Sequence, residues 1–261
     1  MVVRHETLPG FDHHLGPGGA YLTDVLTDRT VDFIRETRAS PWCAYLAHFA
    51  VHTPLQPKTS LLAKYDAKPP GVLHENVVMA TMIQAVDDGV RRLVDVISEL
   101  GLRDETVIVF FSDNGGYGPA TDMSPLRGYK GTYYEGGIRV PLFVHWPGVV
   151  APGRFCAEPI IGLDLYPTFL EIAGAERPDQ PLDGVSLVPL LRGEVRSLPE
   201  RSLFWHFPAY LEAHRSDPAV IDGLAALFGG AVFALWSEPR PAWIEPVVPL
   251  GITYAINSDQ I

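Results

Sequence analysis

The sequence predicts an α/β fold in which helices flank a doubly wound, mostly parallel sheet. Two segments, 21–38 and 77–100, place apolar residues at three-to-four spacing among charged ones, which is typical of amphipathic helices. The run Val-Ile-Val-Phe-Phe at 107–111 is typical of a strand buried on both faces of a parallel sheet. Because the second helix leads directly into this strand, the order of elements favours a right-handed crossover.

The length and charge of the chain limit its class and its partners. A chain of 261 residues fits one large α/β domain, or one domain with a small appendage. The net charge of −11 and the pI of about 5.2 argue against nucleic acid or an anionic membrane as the main partner. An anionic ligand therefore needs local cations, and Arg127, Lys130 and Arg139 lie in one segment. We expect the two arginines to be structural.

The amino-terminal region predicts a loop followed by the first helix. Residues 1–19 are rich in Gly, Pro and His, so we expect His13 and His14 to lie in a solvated loop and not to bind a metal. No apolar stretch typical of a signal peptide follows Met1, and localisation stays open.

The next apolar run, 42–50, predicts a buried strand that ends just before His52. Proline at position 54 disfavours helical geometry for the residues before it and fixes the loop at the strand's end. Cys43 lies inside this run, so we expect a buried core thiol. A disulfide between Cys43 and Cys156 is compatible with the sequence but is not required by it.

A set of turn-forming residues, Ser112-Asp113-Asn114-Gly115-Gly116, follows the strand 107–111. Open α/β sheets bind ligands at the carboxyl ends of their strands, and we expect His52 to lie at the same edge. The oxygens of Asp113 and Asn114 are ligands that calcium and magnesium accept, whereas Lys130 offers a cation to an anion. The alternative interpretation of the motif is an ordinary turn. A metal site together with a lysine indicates an oxyanion substrate.

Three further segments complete the prediction. Asp87 and Asp88 point in directions about 100° apart on one helix, so we interpret them as solvated or capping residues and not as a catalytic pair. A strand is predicted at 140–146, and a helix is predicted to begin near Asp164 within 160–173.

Two motifs resemble a known family. The strings SDNGG at 112–116 and LRGYKGTYYEGGIRVP at 126–141 resemble the C-terminal half of the type I sulfatase signature, in the alkaline phosphatase superfamily. The segment 45–56 resembles the sulfatase segment that carries a substrate-contacting histidine. Together with an Asp-Leu-Tyr-Pro-Thr element at 164–168, the resemblance covers about residues 11–210.

The resemblance implies an arylsulfatase-like sulfuric ester hydrolase acting on a small-molecule or carbohydrate sulfate ester. By this resemblance, Asp113 and Asn114 match two ligands of a Ca²⁺ ion, for which Mg²⁺ is the alternative. His52 and Lys130 match two catalytic residues that contact the sulfate. Neither a nucleic acid nor a membrane is an expected partner.

The chain also departs from the family pattern. Sulfatases make a formylglycine nucleophile from a C/S-x-P-x-R motif, and neither Cys43 nor Cys156 begins one, so we expect its precursor to be absent. The N-terminal aspartate pair that completes the metal shell has no counterpart either, and two oxygen ligands fall short of the roughly six to eight that calcium prefers. We therefore expect a fold truncated at the N-terminus and a chain that is inactive alone.

The expected organisation is a partial catalytic domain at 1–210 and a divergent tail at 211–261 without a packed role. The apolar run 224–236 is too short for a bilayer span and is compatible with a buried helix. Two other functions stay open. One is a non-catalytic sulfatase remnant that binds an anion or a partner, and the other is a phosphoester or phosphonoester hydrolase of the same superfamily.

Overall fold

The computed structural model describes residues 10–207 and 232–236, which divide into two compact units between Thr106 and Val107. Among the described residues, the first unit contains three α-helices and the second contains three α-helices and four strands. The helices are α1 Leu22–Thr37, α2 Leu62–Asp66, α3 Val77–Glu99, α4 Glu135–Ile138, α5 Leu165–Ile172 and α6 Val188–Arg192; the strands are β1 Ile108–Phe111, β2 Leu142–His145, β3 Leu203–Phe207 and β4 Val232–Trp236.

Helices α1 and α3 pack together and form most of the first unit, so both amphipathic predictions are confirmed. The Asn76 side chain accepts a hydrogen bond from the Met79 backbone N–H at 2.9 Å and so caps α3. Gly89 brings the helices close, because a Cβ atom there would lie 2.7 Å from the Thr27 hydroxyl oxygen. That hydroxyl donates to the Thr23 carbonyl at 2.8 Å and is therefore satisfied inside the interface.

The two adjacent carboxylates of α3 behave as expected. Asp87 is exposed and lies 3.8 Å from Arg91 one helical turn later. Asp88 is half-buried and accepts a hydrogen bond from Gln84 at 3.3 Å. Each carboxylate therefore has a local structural partner.

The strand predicted at 42–50 is wrong for the part of the chain that the structure describes, where these residues have no strand partner. A strand needs a neighbour for its backbone hydrogen bonds, and this run has none. Burial of Cys43 was predicted from that strand, so it is wrong as well: the Cys43 thiol is exposed. Cys156 is also exposed and both thiols are free, so the pair forms no disulfide.

Strands β1 and β2 of the second unit form an antiparallel pair, with Ile108 opposite His145 and Phe111 opposite Leu142. The predicted strand 107–111 is confirmed as a strand, but its burial on both faces is not. Phe110 is 37% exposed, and Phe143 on β2 is 60% exposed. The Phe110 ring lies 6.1 Å from the Phe143 ring on β2, and the two rings lie partly in solvent instead of under a covering layer.

A buried carboxylate organises the remainder of the second unit, at the start of the predicted helix α5. Asp164 is fully buried, and both its oxygens accept hydrogen bonds from the Arg201 guanidinium at 2.6 Å. The backbone N–H groups of Ile161 and Val185 donate to the same carboxylate at 2.9 Å. Four hydrogen bonds therefore satisfy this charge and join three segments of the chain.

The described part of the predicted tail is a strand. Val232–Trp236 pairs antiparallel with Leu203–Phe207, so the helical interpretation is wrong for these five residues. The other residues of 211–261 lie outside the described structure. No helix in the described ranges has both the length and the apolarity that a membrane span requires.

Candidate functional site

Two loops hold the predicted site residues of the second unit: the strand-end loop, 112–116, and the lysine loop, 126–137. Three backbone hydrogen bonds organise them. Gly115 donates to the Gly137 carbonyl at 2.9 Å and Lys130 donates to the Gly116 carbonyl at 2.9 Å, so the two loops are joined twice. Within the lysine loop, Gly136 donates to the Arg127 carbonyl at 2.7 Å. Asp113, Asn114 and Lys130 are thereby brought together.

The glycines of both loops are required by close contact between backbones. A Cβ atom on Gly115 would lie 1.8 Å from the Gly136 carbonyl oxygen, and one on Gly136 would lie 2.1 Å from the Gly128 carbonyl oxygen. Gly128 itself has a φ of +78°, in the left-handed region that favours glycine. No side chain fits between the two loops.

We expect Gly136→Ala to destabilise the second unit by about 1–3 kcal/mol, because the carbonyl that the new methyl group meets cannot move without displacing the lysine loop. Urea unfolding of the 261-residue chain measures this change. Gly174→Ala is the matched control, since Gly174 has a φ of +63° but open space around it, and only the conformational cost of about 1–2 kcal/mol applies. Hydrogen exchange gives a second measurement. The backbone amide of Lys130 should exchange faster in Gly136→Ala and at an unchanged rate in Gly174→Ala. Equal loosening of the Lys130 backbone amide in the two variants would contradict the contact.

Both arginines near Lys130 have structural roles, as predicted. Arg139 donates to the Glu135 carboxylate at 2.9 Å, and their side chains are only 6% and 14% exposed. The Arg127 guanidinium lies 4.0 Å from the centroid of the Tyr134 ring, within the range of a cation–π interaction. These contacts fix the two ends of the lysine loop.

Lys130 is a half-buried cation beside a carboxylate. Burial lowers the pKa of its ammonium group, and the negative charge of Asp113 partly opposes that shift. A partly desolvated ammonium attracts an anion more strongly than a fully hydrated one. Its lowered pKa also makes it a better proton donor than a surface lysine. The surroundings of Lys130 therefore suit an oxyanion ligand.

Asp113 and Asn114 fit a hard cation in donor type but not in number. The Asn114 amide nitrogen donates to the Asp113 carboxylate at 2.5 Å, so the two side chains lie close together, and Asp113 is exposed. Rotation of the amide would present its oxygen beside the carboxylate. Within residues 10–207 and 232–236, no group of three or more His, Cys, Asp or Glu side chains is placed to hold a metal ion. These two residues can therefore supply two ligands of a larger shell.

His52 belongs to the first unit. Its ring nitrogen Nδ1 lies 2.8 Å from the Thr53 carbonyl oxygen. Because a carbonyl can only accept a hydrogen bond, this geometry assigns a proton to Nδ1.

The structure corrects the expectation for His14, which is fully buried and not solvated. Its Nε2 lies 2.8 Å from the His52 carbonyl oxygen, and its backbone N–H donates to the Gln56 side chain at 2.8 Å. His13 is exposed, as predicted. Sequence patterns carry no signal for His14, because its partners lie 38 and 42 residues further along the chain.

His48 is a second buried imidazole in the first unit, with both ring nitrogens buried and without a hydrogen-bond partner. Burial lowers its pKa in the folded chain. The unfolded chain therefore binds a proton first as the pH falls through about 6.5. Folding stability contributed by neutral His48 is present above that pH and is lost below it.

We expect the free energy of unfolding to be smaller at about pH 5.5 than at about pH 7.5, with part of the difference due to His48. Urea titrations at both pH values, on the chain and on His48→Leu, measure this. The pH difference should shrink in His48→Leu but persist in part, because burial also lowers the pKa of His14. An unchanged pH difference in His48→Leu would contradict the assignment.

One string in the chain does have the letters of the formylglycine motif, contrary to the expectation that its precursor is absent: Ser197-Leu-Pro-Glu-Arg201. The structure gives these residues another role. Arg201 is bound to the buried Asp164, and the backbone N–H of Leu198, itself buried, donates to Glu158 at 3.0 Å. The string is therefore part of the packing around Asp164.

Comparison with known proteins places these residues in a wider context. A family model described as Sulfatase matches residues 3–175, a range that contains His52, Asp113, Asn114 and Lys130. A sulfatase of Formosa agariphila is 37% identical over 217 residues, covering 77% of this chain and 39% of its own length. Human arylsulfatase A is 43% identical over 148 residues, covering 54% of this chain and 28% of its own length.

Among solved structures, Ps i-CgsB in complex with k-i-k-neocarrahexaose is similar, with 36% sequence identity and a TM-score of 0.64. The match covers 72% of this chain and 43% of that chain. This likeness confirms the predicted α/β fold. The chain spans less than half of the length of each of these relatives.

Proposed function

Since the chain belongs to the type I sulfatase family of the alkaline phosphatase superfamily, we propose that it binds a sulfate ester at the lysine loop and forms part of a sulfuric ester hydrolase. The observation that carries the proposal is the half-buried Lys130 beside Asp113 and Asn114. The Lys130 cation lies on the lysine loop and the two oxygen ligands lie on the strand-end loop, and backbone hydrogen bonds join the two loops. A rigid arrangement of this kind suits binding of a tetrahedral anion.

Each residue has a proposed role. The Lys130 ammonium donates hydrogen bonds to a sulfate oxygen and, with its lowered pKa, is suited to protonating the leaving oxygen. Asp113 and Asn114 would supply two ligands to Ca²⁺, or to Mg²⁺, whose charge neutralises sulfate oxygens when the ion is bound. His52 matches the family segment that carries a substrate-contacting histidine and is proposed as a second residue that contacts the sulfate; its Nδ1 lies 2.8 Å from the Thr53 carbonyl oxygen.

The relatives support a sulfated substrate. The matched names include steryl-sulfatase of Mus musculus as well as arylsulfatase A, and Ps i-CgsB binds k-i-k-neocarrahexaose. We therefore propose a small-molecule or carbohydrate sulfate ester as the ligand class.

Hydrolysis needs a nucleophile that the chain's own motifs do not offer. Neither cysteine is followed by x-P-x-R, and the one serine string of that form belongs to the ion pair of Arg201 with Asp164. We propose that the chain alone binds the ester without cleaving it. Hydrolysis of the ester by the chain alone would overturn this part of the proposal. If that hydrolysis were then lost in Ser197→Ala, Ser197 would be the precursor of the nucleophile.

The proposal is tested by titrating the 261-residue chain with 4-nitrophenyl sulfate in buffer containing CaCl₂, using calorimetry, while 4-nitrophenolate release is followed by absorbance. Saturable binding without release is expected. Uncharged 4-nitrophenyl glucoside is the control ligand and should not bind. Stronger binding of 4-nitrophenyl phosphate than of the sulfate would contradict the assignment and favour a phosphoester hydrolase. Absence of sulfate binding would contradict it outright.

A further inference from the structure

The segment that carries His52 lies between the helices of the first unit without regular secondary structure. Residues 41–58 form neither helix nor strand. The position of such a segment depends on side-chain contacts, because no ladder or helical hydrogen bonds fix its backbone. Three hydrogen bonds provide these contacts near His52. His14 binds the His52 carbonyl and the Gln56 side chain, both at 2.8 Å, and the Tyr21 hydroxyl donates to the Gln56 carbonyl at 3.0 Å.

The His14 ring lies inside a cluster of aromatic rings. Its centroid is 6.2 Å from the Tyr21 ring, with the planes 20° apart, and 4.8 Å from the Phe49 ring. The Phe49 ring in turn lies 5.3 Å from the ring of His52. Tyr21 precedes the first residue of α1 as its N-cap. A continuous series of ring contacts therefore connects the start of α1 with His52.

The protonation of His14 follows from its contacts. The His52 carbonyl can only accept, so Nε2 of His14 carries the proton and donates. Nδ1 is then an acceptor, and it is buried without a hydrogen-bond partner. A phenylalanine of similar shape would avoid the cost of that unpaired nitrogen. What an imidazole offers here and a phenylalanine does not is the hydrogen bond from Nε2 to the carbonyl of His52, the residue proposed to contact the sulfate.

We propose that His14 is a positioning residue for His52: its buried imidazole holds the His52 carbonyl and thereby sets the orientation of the His52 ring. The sulfate contact of His52 rests on the proposed function. The hydrogen bond between His14 and the His52 carbonyl rests on the geometry alone. His14 is not proposed to contact the substrate; it acts through His52.

The test compares His14→Phe, which keeps the ring packing but removes the donor, with His14→Gln, whose amide nitrogen lies near the position of the imidazole Nε2. His13→Phe changes the exposed neighbour and is the matched control. Each 261-residue chain is labelled with ¹⁵N-histidine, and the two-bond ¹H–¹⁵N spectrum reports which nitrogen of the His52 ring is protonated. The His52 signals are assigned with His52→Gln.

In the chain as it stands and in His13→Phe, we expect one His52 ring form with Nδ1 protonated. In His14→Phe, with thermal stability retained, the His52 signals should move toward an average of both tautomers, and His14→Gln should restore them. Binding of 4-nitrophenyl sulfate should weaken by about tenfold in His14→Phe only, as expected for a displaced contact. Unchanged His52 signals in His14→Phe, or failure of both His14 variants to fold, would overturn the positioning role. Absence of sulfate binding in every chain would refute the proposed function, while the ring spectra would still decide the role of His14.

Discussion

Replacing Lys130 with methionine is expected to weaken binding of 4-nitrophenyl sulfate by about 10- to 100-fold, the effect of losing one hydrogen bond from a charged donor. Methionine keeps much of the length and apolar volume of the lysine side chain but removes the ammonium. The backbone hydrogen bond from residue 130 to Gly116 does not involve the side chain and should persist. Calorimetric titration in CaCl₂ measures the change.

Lys64→Met is the matched control for this effect. Lys64 is an exposed lysine on α2 that donates to Gln84 at 2.7 Å, so its removal changes the net charge equally. Its binding constant should stay within about twofold of that of the unmodified chain, because exposed charges are screened by salt. Equal weakening by the two variants would show that net charge, and not the position of Lys130, governs sulfate binding.

Truncating Asp164 to alanine is expected to lower the free energy of unfolding by about 3 kcal/mol, because the largely buried Arg201 charge then loses its carboxylate partner. The same change removes the acceptor of the Ile161 and Val185 backbone N–H groups. Urea unfolding of the 261-residue chain followed by tryptophan fluorescence measures the loss, since Trp205 lies in the core near Ile138 and Leu203.

The exposed ion pair between Arg92 and Asp28 provides a comparison on the same chain. Their side chains are 47% and 52% exposed, so Asp28→Ala should cost less than about 1 kcal/mol. The loss in the free energy of unfolding in Asp164→Asn should lie between those of Asp164→Ala and Asp28→Ala, because an amide retains one acceptor oxygen. A loss in Asp164→Ala as small as that in Asp28→Ala would contradict the role of the buried carboxylate.

Local sequence patterns were sufficient where structure depends on neighbouring residues. The periodicity of α1 and α3 predicts helices whose ends agree with the structure to within about a residue or two, the usual uncertainty of helix ends. The turn-forming residues 112–116 were likewise predicted to follow the strand, as they do after β1. The contact of Gly115 with Gly136 was not predicted, because it joins residues that are distant in the sequence. The roles of Asp113, Asn114, His52 and Lys130 stay predictions that the experiments above test.

Features that depend on distant partners were not predictable. The run 42–50 has the composition of a strand, but composition does not specify a neighbouring strand, and so the burial of Cys43 was also wrong. His14 looks like a loop residue until its contacts with Phe49 and the His52 carbonyl are known. In the same way, Ser197 begins a string with the letters of the formylglycine motif, but the arginine of that string, Arg201, is hydrogen-bonded to Asp164.

The central proposal is that Lys130 binds a sulfate ester and that Asp113 and Asn114 supply two of the ligands of a divalent metal at the same site. The most direct test is calorimetric titration of the 261-residue chain with 4-nitrophenyl sulfate in CaCl₂, repeated with EDTA and with the double variant Asp113→Ala, Asn114→Ala. Binding should be saturable in the presence of calcium. It should be weaker by about tenfold or more with EDTA and also in the double variant, since each removes the metal charge that neutralises the sulfate. Binding that is absent in calcium, or that neither EDTA nor the double variant changes, would contradict the claim.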